Sequence, residues 1–308
     1  MLVIWALLVV GCQPGQTVVS TSRSQSVAEV PPSPVAYLDK SGKNSEPASG
    51  QNKIKVLYAG DSGIVMGPHI IASPFNYESK GAEVHVWCQQ VLDALNSQPD
   101  IEVRYMTTWQ AFEEFPETPE ELAQYDVVVI SDVEWEVLVL YPWARFMDAP
   151  MGPNRLASIR DYVKNGGSLL MIGGWSSFTG RKGMGGYHGT PVEEALPVEC
   201  LDINDDRREA PEGVHIITLK PDHPVMQGLR WETCGVFTGY NRLKVKSGSK
   251  VIAQVKEFGD PFLVVGEYEK GKSMAFASDI APHWGSGFMK WDGYDRFWVQ
   301  AIRWLGKK

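Results

Sequence analysis

Two glycines followed by a short polar segment form the clearest candidate for chemistry in the sequence. Ser168 to Ile172 is an apolar run typical of a buried strand, and Gly173-Gly174-Trp175-Ser176-Ser177 follows it directly. Two glycines permit a sharp reversal of the backbone, and open α/β sheets hold ligands at the carboxyl ends of their strands. The sequence therefore predicts a functional site at this turn.

A serine hydroxyl in this turn suggests nucleophilic catalysis. A serine needs an adjacent imidazole to react at neutral pH, and the imidazole needs an acid that orients it. One hypothesis makes Ser176 the nucleophile and His283 its base, with Asp279 or Asp132 as the orienting acid. The alternative is structural, with Ser176 satisfying hydrogen bonds of the turn and His283 packing between its neighbours.

Polar residues also follow two other apolar runs. Asp61 and Ser62 come soon after Ile54 to Ala59, and Asp132 comes soon after Val127 to Ile130. Because the carboxyl ends of parallel strands share one edge of a sheet, these side chains are expected in one cleft. The sequence thus predicts a cleft for a small polar ligand, with capping and turn roles as the alternative.

Four carboxylates at strand ends raise the question of a metal site, and these are Asp61, Asp132, Glu134 and Asp279. Their positions do not show the spacing of metal ligands, so the sequence predicts no metal and no cofactor.

The stretch from Gly266 to Ser273 matches a phosphate-loop pattern. A strand pattern follows it, however, instead of the helix that phosphate binding requires.

Aromatic residues lie near the same predicted rim, and they are Trp175, Phe178, Tyr187 and Trp284. Such rings stack on sugars in carbohydrate sites, but they also pack as ordinary lid residues. His188 precedes a predicted helix and could contact an anionic or polar ligand, although a solvated loop residue is the commoner role. The predicted ligand contacts are Asp61, Ser62, Asp132, Trp175, Ser177, His188 and Trp284.

Alternating patterns predict the elements that position these residues. From Lys53 to Leu170, buried apolar runs alternate with helical patterns, which is typical of a parallel, doubly wound sheet. A short strand is predicted from His69 to Phe75, and a helix from about Val84 to Asn96. Pro261 to Asp279 contains two strand patterns, which predict an added antiparallel hairpin near the C-terminus.

Three helix starts carry capping signals. Thr118 and Thr190 each begin a capping box with proline at the first helical position. Asn154 can cap a third helix, which Asn165-Gly166 can end in the left-handed conformation.

The first residues have a different character from the rest. Residues 1–12 are apolar, and Leu8 to Cys12 resembles the bacterial lipobox, although no Lys or Arg precedes the run. This predicts an export signal, lipidation of Cys12, and a membrane-anchored protein on the outer side of the bacterial cytoplasmic membrane or in the periplasm or outer membrane. Residues 13–52 are rich in Ser, Pro, Gly, Gln and Lys, which predicts a flexible tether before a folded domain at 53–308.

Composition narrows the partners. The formal net charge is −8 at pH 7, and no run of Lys or Arg occurs. Nucleic-acid binding needs clustered cations, so nucleic acids are excluded as partners.

Apart from Cys12, the cysteines are Cys88, Cys200 and Cys234, and they do not show the spacing of metal ligands. Cys88 is expected to be a buried apolar residue, and pairing of Cys200 with Cys234 stays open, as does the oligomeric state.

Four ordered motifs resemble a known family. They are YDVVVISD (125–132), RDYVKNGGSLLMIGGWSSFTG (160–180), GTPVEEALPV (189–198) and LVVGEYEKGKSMAFASDIAPHW (263–284). In this order they resemble the putative glutamine amidotransferase family, which is similar to the class I glutamine amidotransferase-like superfamily. The resemblance covers nearly everything from Lys53 to Leu305, and it implies a flavodoxin-like α/β fold.

The resemblance also implies a nucleophilic cysteine that this chain lacks. Members with glutaminase activity carry Gly-x-Cys-x-Gly at the strand-to-helix turn, with a His-Glu pair from a later strand end. Here either Ser176 or Trp175 occupies the cysteine position, depending on which glycine is taken as the first. The later strand end reads Phe276-Ala277-Ser278-Asp279, with His283 as the nearest histidine. Glutamine hydrolysis by a cysteine is therefore not expected.

Three functions remain open from the sequence. The first is an exported amidotransferase-like protein without glutaminase activity, which binds a small polar ligand, with carbohydrate as one candidate class. The second is a serine-type hydrolase that uses Ser176, His283 and Asp279. The third is an envelope protein-interaction module whose cleft is filled by its own aromatic side chains.

Overall fold

The computed structural model describes residues 53–72, 77–142, 145 and 147–306. All of them belong to the second of two units, Gly50–Lys308, and the first unit, Met1–Ser49, contains no described residue. The predicted signal at 1–12, Cys12 and the predicted tether at 13–52 therefore lie outside the described residues. No helix among the described residues has the length and apolar character needed to cross a bilayer.

The described residues form strands and helices in alternation. The strands are β1 (Ile54–Gly60), β2 (Ser62–Ala72), β3 (Tyr77–Val86), β4 (Ile101–Met106), β5 (Val127–Ser131), β6 (Ser168–Ile172), β7 (Val198–Cys200), β8 (Arg207–Val214), β9 (Ile216–Thr218), β10 (Phe237–Asn241), β11 (Leu243–Val245), β12 (Lys250–Val255), β13 (Pro261–Tyr268) and β14 (Gly271–Phe276). The α-helices are α1 (Gln89–Asn96), α2 (Thr108–Glu114), α3 (Pro119–Leu122), α4 (Trp135–Val139), α5 (Arg155–Lys164), α6 (Pro191–Ala195), α7 (Pro282–Met289) and α8 (Tyr294–Gly306).

One large sheet carries the architecture. Among the described residues, eight strands join in the order β4-β1-β5-β6-β14-β13-β12-β9. The pairs from β4 to β14 are parallel, and those from β14 to β9 are antiparallel. Every residue of β5 and β6 is buried, so both faces of the sheet are covered there. The predicted flavodoxin-like, mostly parallel sheet with an added antiparallel hairpin is confirmed.

The strand order fixes where a ligand is expected. From β1 the chain first adds β4 on one side and later adds β5 on the other. The topological switch point therefore lies between β1 and β5, and ligands of open α/β sheets bind outside the carboxyl ends of the strands at such a point. This places the site directly after Gly60 and Ser131, which are register partners.

The predicted helix caps are present. Asn154 accepts hydrogen bonds from the first amides of α5, and Gly166 follows that helix with a φ of 112°. Thr118 caps α3 and Thr190 caps α6, each with proline at the start of the helix. The sequence was sufficient to predict these helix starts, because capping depends on residues only about three positions apart.

The segment before α1 differs from the prediction. β2 and β3 pair as an antiparallel hairpin with Ser62 opposite Val86, so the helix predicted from Val84 begins only at Gln89. Val84 is 58% exposed, because strand pairing overrides the helical spacing of the apolar residues. The strand predicted from His69 to Phe75 is part of the longer β2 up to Ala72, and residues 73–76 lie outside the described residues.

Two small antiparallel pairs and an aromatic core support the C-terminal half. β7 pairs with β11 and β8 pairs with β10, both in the antiparallel direction. The rings of Phe276 and Phe288 stack at 5.6 Å, and Trp231 stacks on Phe288 at 5.8 Å. Because Phe288 belongs to α7, this core fixes the helix that carries His283 against the end of β14.

Candidate functional site

Asp61 and Asp132 occupy equivalent places after two paired strands. The Asp61 amide donates to the Ser131 carbonyl oxygen at 3.0 Å, which holds the two strand ends together. Asp61 has a φ of 48° and Asp132 a φ of 50°, a left-handed conformation that aspartate tolerates better than most residues. A Cβ on Gly60 would lie 1.8 Å from the Ser131 oxygen, so only glycine permits this close approach. The backbone thus places both carboxylates at the switch point.

Asp279 and His283 form a dyad at the end of β14. Asp279 is 1% exposed, and its carboxylate accepts hydrogen bonds from the Ala281 amide at 2.7 Å and from His283 Nδ1 at 2.9 Å. The hydrogen bond to Asp279 raises the pKa of His283, although burial of the ring acts in the opposite direction. A proton held on Nδ1 leaves Nε2 as the ring atom for a ligand.

Burial and mutual repulsion perturb the two strand-end carboxylates. Burial, followed by the charge of Asp279, raises the pKa of Asp61 from 3.8 to about 8. The same two causes raise the pKa of Asp132 to about 6. Asp61 also accepts a hydrogen bond of 2.5 Å from the Tyr58 hydroxyl. Asp61, Asp132 and Asp279 thus form one electrostatically coupled group, called the carboxylate cluster below.

The turn after β6 is attached to this cluster through its backbone. The Ser176 amide donates to Asp132 Oδ1 at 2.5 Å, and the Ser176 hydroxyl lies 3.5 Å from Glu134 Oε1. Ser177 is fully buried; its hydroxyl donates to the Ile172 carbonyl oxygen at 2.6 Å and accepts from the Asp132 amide at 3.0 Å. Ser177 therefore joins the ends of β5 and β6 and offers no free group to a ligand.

A second pair of buried side chains holds the other end of the turn. Asn241 accepts from the Gly174 amide at 3.0 Å and donates to Asp206 at 2.8 Å. Asp206 also accepts from the Thr179 amide at 3.0 Å and the Gly180 amide at 3.1 Å. Burial raises the pKa of Asp206 to about 6. The turn that carries Trp175 and Ser176 is thus fixed on both sides by carboxylates.

Aromatic rings line up beside the dyad. Trp175 stacks on the His283 imidazole with centroids 5.0 Å apart, and the Arg181 guanidinium lies 4.9 Å from the centre of the same indole. Trp87 contacts His283 at 5.6 Å and stacks on His85 at 4.9 Å. Trp175 therefore orients His283, and its ring is already engaged by two neighbours.

Other predicted contacts lie apart from the cluster. Ser62 accepts a hydrogen bond from the Thr108 amide at 2.8 Å, which ties β2 to α2. Trp284 is 4% exposed, and its indole packs over Gly239, where a Cβ would lie 2.5 Å from the ring nitrogen. Both residues are therefore engaged in structural contacts.

The other predicted contacts, His188, Phe178 and Tyr187, are likewise engaged away from the dyad. His188 is exposed, and its Nδ1 lies 2.9 Å from the Cys200 carbonyl oxygen and 3.5 Å from Glu193. Phe178 and Tyr187 are fully buried. Of the four rings in the predicted aromatic platform, only Trp175 contacts the dyad.

The geometry of Ser176 differs from that of an activated serine. Within the described residues, Ser176 and His283 share no hydrogen bond. Among the non-glycine residues of this turn, the positive φ belongs to Phe178, at 54°, and the chain continues into turns and a 3-10 helix at Arg181–Gly183. A nucleophile elbow places its strained nucleophile between a strand and an α-helix. The predicted His283–Asp279 pair is present, but Ser176 lies outside it.

The described cysteines do not supply a nucleophile. Cys88, Cys200 and Cys234 are buried free thiols, so Cys200 and Cys234 do not pair. Burial raises the pKa of Cys88 and Cys200 well above the ordinary range, and that of Cys234 to about 12. Thiols with raised pKa values are poor nucleophiles at neutral pH.

The described residues form no metal site, and the two cavities described below lie away from the carboxylate cluster. Among the described residues, no group of three or more His, Cys, Asp or Glu side chains converges as a metal site. A cavity of 620 Å³ lies at the amino ends of β5, β6 and β14, bordered by Asp126 and Lys270. Another, of 600 Å³, lies beside β9 and β12, bordered by His223. Neither is lined by the carboxylate cluster.

Four residues of the site escaped the sequence prediction, and they are Tyr58, Trp87, Asp206 and Asn241. Tyr58 lies inside an apolar strand, and Trp87 fits a helical stripe, so both have the pattern of core residues. Asp206 and Asn241 reach the turn over separations of 26 and 67 residues, which no local pattern indicates.

Comparison with known proteins identifies the relatives. The model of the family described as "Putative glutamine amidotransferase" matches residues 55–307. The solved structure of cytoplasmic protein STM3548 from Salmonella typhimurium is 36% identical, with a TM-score of 0.73, and the match covers 82% of this chain and 99% of that one. Cytoplasmic protein STM1381 from Salmonella typhimurium LT2 is 37% identical, with a TM-score of 0.72, and covers 82% and 100%. No curated protein is significantly similar to the chain.

These relatives correct one prediction. Both Salmonella proteins are named as cytoplasmic, which contradicts the export and lipid anchoring predicted from Cys12. The lipobox pattern itself covers only five residues, and these lie outside the described residues. The match over residues 55–307 and the two relatives, by contrast, cover almost the whole fold, and the chain belongs to the putative glutamine amidotransferase family.

Proposed function

We propose that the chain is an amidotransferase-like protein without cysteine-dependent glutaminase activity that binds a small polar ligand at the carboxylate cluster. The ligand is hydroxyl-rich, as in the carbohydrate class. The observation that carries this proposal is the meeting of Asp61 and Asp132 at the switch point of the sheet, where both interact electrostatically with Asp279 from the end of β14.

Hydrogen-bonding capacity supports a hydroxyl-rich ligand. Carboxylates accept hydrogen bonds from hydroxyl groups, and Asp132, the half-buried member of the cluster, interacts with His283, while Asp61 and Asp279 are only 2% and 1% exposed. The Trp175 indole N–H is buried and has no acceptor among the described residues. An indole nitrogen is only a donor, so a ligand oxygen would satisfy it. A hydroxyl group can donate to a carboxylate and accept from the indole.

The arrangement of the nucleophile position argues against glutamine hydrolysis. The position that holds cysteine in members with glutaminase activity carries Ser176 or Trp175, and the described thiols are buried elsewhere. A cysteine nucleophile acts as a thiolate beside a base, and burial of these thiols disfavours the thiolate. We expect incubation with glutamine to release no glutamate above a protein-free control.

Thermal unfolding of the full chain against a ligand panel tests the proposal. The panel contains neutral sugars, amino sugars, sugar acids, glutamine and nucleotides. A ligand at one hundred times its dissociation constant stabilises the fold by about 2.7 kcal/mol, which raises the unfolding midpoint by several degrees. We expect such a shift with a hydroxyl-rich compound. The shift should disappear in Asp279→Asn and persist in the control Asp222→Asn, which changes an exposed aspartate.

Three outcomes would overturn the proposal. Release of glutamate from glutamine would show that the chain has glutaminase activity after all. Turnover of an ester or amide that is lost in Ser176→Ala would support the serine hydrolase instead. The absence of any shift across the panel would favour a protein-interaction module, whose aromatic side chains fill the site as Trp175, Trp87 and His283 already do in part.

A further inference from the structure

We infer that the ligand of the carboxylate cluster carries a positively charged amine. The inference rests on the proposed function, since it concerns the same site. It narrows the ligand from hydroxyl-rich molecules in general to amino sugars and polyhydroxylated amines. Neutral sugars and sugar acids would then bind more weakly than their amine counterparts.

The charge balance of the site is the first argument. Among the side chains that the structure describes, no lysine or arginine forms an ion pair with Asp61, Asp132 or Asp279. Among the described side chains, His283 is the one cationic partner, through Asp279, and Glu134 adds a further acid beside Asp132. A pKa of about 8 keeps Asp61 largely protonated near pH 7, so the negative charge that lacks its own counter-charge lies at Asp132, and a cationic ligand would be favoured there.

An unpaired polar atom beside the cluster supports the inference independently. The Ser131 hydroxyl is fully buried and is engaged by the Asp61 carboxyl, so it offers no free group to a ligand. The indole N–H of Trp175, by contrast, is buried and unpaired among the described residues. Buried polar atoms normally have partners, and an unpaired one at a site indicates that a bound molecule supplies the partner. A ligand that meets this N–H needs an acceptor oxygen in addition to its charge.

An organic cation fits this arrangement better than a metal ion. Metal sites need several ligands at short distances around one point, and the described acidic and histidine side chains do not converge in this way. The cluster spreads over the ends of β1, β5 and β14; β1 and β5 are neighbours, and β6 lies between β5 and β14. Neighbouring strands are about 4.8 Å apart. Charges at this spacing suit a molecule with several polar groups rather than a single ion.

A matched series of three small compounds separates the effect of the ligand's charge from that of its hydroxyl groups. Tris(hydroxymethyl)aminomethane is cationic, 1,1,1-tris(hydroxymethyl)ethane is neutral, and 2,2-bis(hydroxymethyl)propionate is anionic. All three have closely similar hydroxymethyl scaffolds. A second series compares D-glucosamine with D-glucose and N-acetyl-D-glucosamine. Isothermal titration of the full chain near pH 7 gives each dissociation constant. We expect the amine of each series to bind at least about tenfold more tightly than its neutral counterpart.

Two variants show whether the charge preference arises at the cluster. Asp132→Asn removes a charge but keeps an acceptor for the Ser176 amide, and asparagine tolerates the positive φ at this position. We expect it to weaken amine binding roughly tenfold and to change neutral binding less than about twofold. Asp222→Asn, at an exposed aspartate, is the control and should change neither.

The outcomes separate this inference from the proposed function. If neutral compounds bind as tightly as the amines, the inference is wrong and the proposed polar-ligand site stands. If Mg²⁺ or Ca²⁺ binds and no organic compound does, both are wrong and the cluster is a metal site. If no compound of any charge binds, the proposed function fails and the inference fails with it.

Discussion

The raised pKa of Asp61 leads to a prediction about stability and pH. In the unfolded chain Asp61 ionises near 3.8, and in the folded protein near 8, because burial and the charge of Asp279 oppose ionisation. Between these pH values the folded protein binds more protons than the unfolded chain. The free energy of unfolding should therefore fall as the pH rises through this window. Asp61→Asn removes the titrating group, so this part of the pH dependence should disappear.

The size of the effect follows from the pKa shift. Four pKa units correspond to roughly 5 kcal/mol at 1.36 kcal/mol per unit, which is an upper limit because neighbouring charges relax when one is removed. In a domain of this size, 1 kcal/mol moves the unfolding midpoint by about 2–4 °C. We therefore expect Asp61→Asn to unfold at least about 5 °C above wild type at pH 9, and within about 2 °C of it at pH 4.

The substitution is compatible with the local structure. Asparagine tolerates the φ of 48° at this position, and its amide oxygen can still accept the Tyr58 hydrogen bond. Several other groups near Asp61 titrate as well, so the comparison must be made between wild type and variant at each pH. The titratable groups that interact with Asp61 are Tyr58, Cys88, Tyr105, Asp132, Asp279, His283 and Tyr294.

Differential scanning calorimetry from about pH 4 to about pH 9 is the assay, with Asp222→Asn as the control. The predicted result is a gap between variant and wild type that opens as the pH rises. Parallel profiles over the whole range would refute the reasoning, because Asp61 would then ionise as readily in the folded protein as in the unfolded chain. A variant that is less stable at pH 9 would also refute it.

Three further predictions concern the supports of the site. Asp206→Ala should lower the free energy of unfolding by about 3 kcal/mol in urea denaturation, because buried amides of the turn lose their acceptor. A loss below about 1 kcal/mol would contradict the role of Asp206 in holding the turn. Ser177→Ala should cost about 1–2 kcal/mol in the same assay, since the Asp132 amide loses its partner, and unchanged stability would show that the contact is dispensable. The three described thiols should react with iodoacetamide only after unfolding, as followed by mass spectrometry, and rapid labelling of the native protein would contradict their burial.

The sequence determined much of the architecture because the relevant signals are local. Val127 to Ile130 and Leu169 to Ile172 are consecutive apolar residues, and such runs are characteristic of parallel strands buried on both faces. Strand ends could be located in the same way, so Asp61, Asp132 and Asp279 were correctly expected at one edge. The stretch Gly271 to Phe276 was expected to be a strand despite its phosphate-loop pattern, and it forms β14.

Other features depend on contacts that the sequence does not encode locally. The β2–β3 hairpin replaces the first turn of a predicted helix, because pairing of Ser62 with Val86 outweighs helical spacing. Trp284 lies in an aromatic loop pattern, but packing over Gly239 of β10 directs it away from the cluster. Tyr58 has the appearance of a core residue until the fold brings its hydroxyl to Asp61.

A crystal structure of the chain, soaked with the panel compound that gives the largest thermal shift, tests the central claim most directly. The claim predicts electron density for the compound in contact with Asp132, Asp279 and His283. Density in the 620 Å³ cavity beside Asp126 and Lys270, at the opposite edge of the sheet, would contradict it.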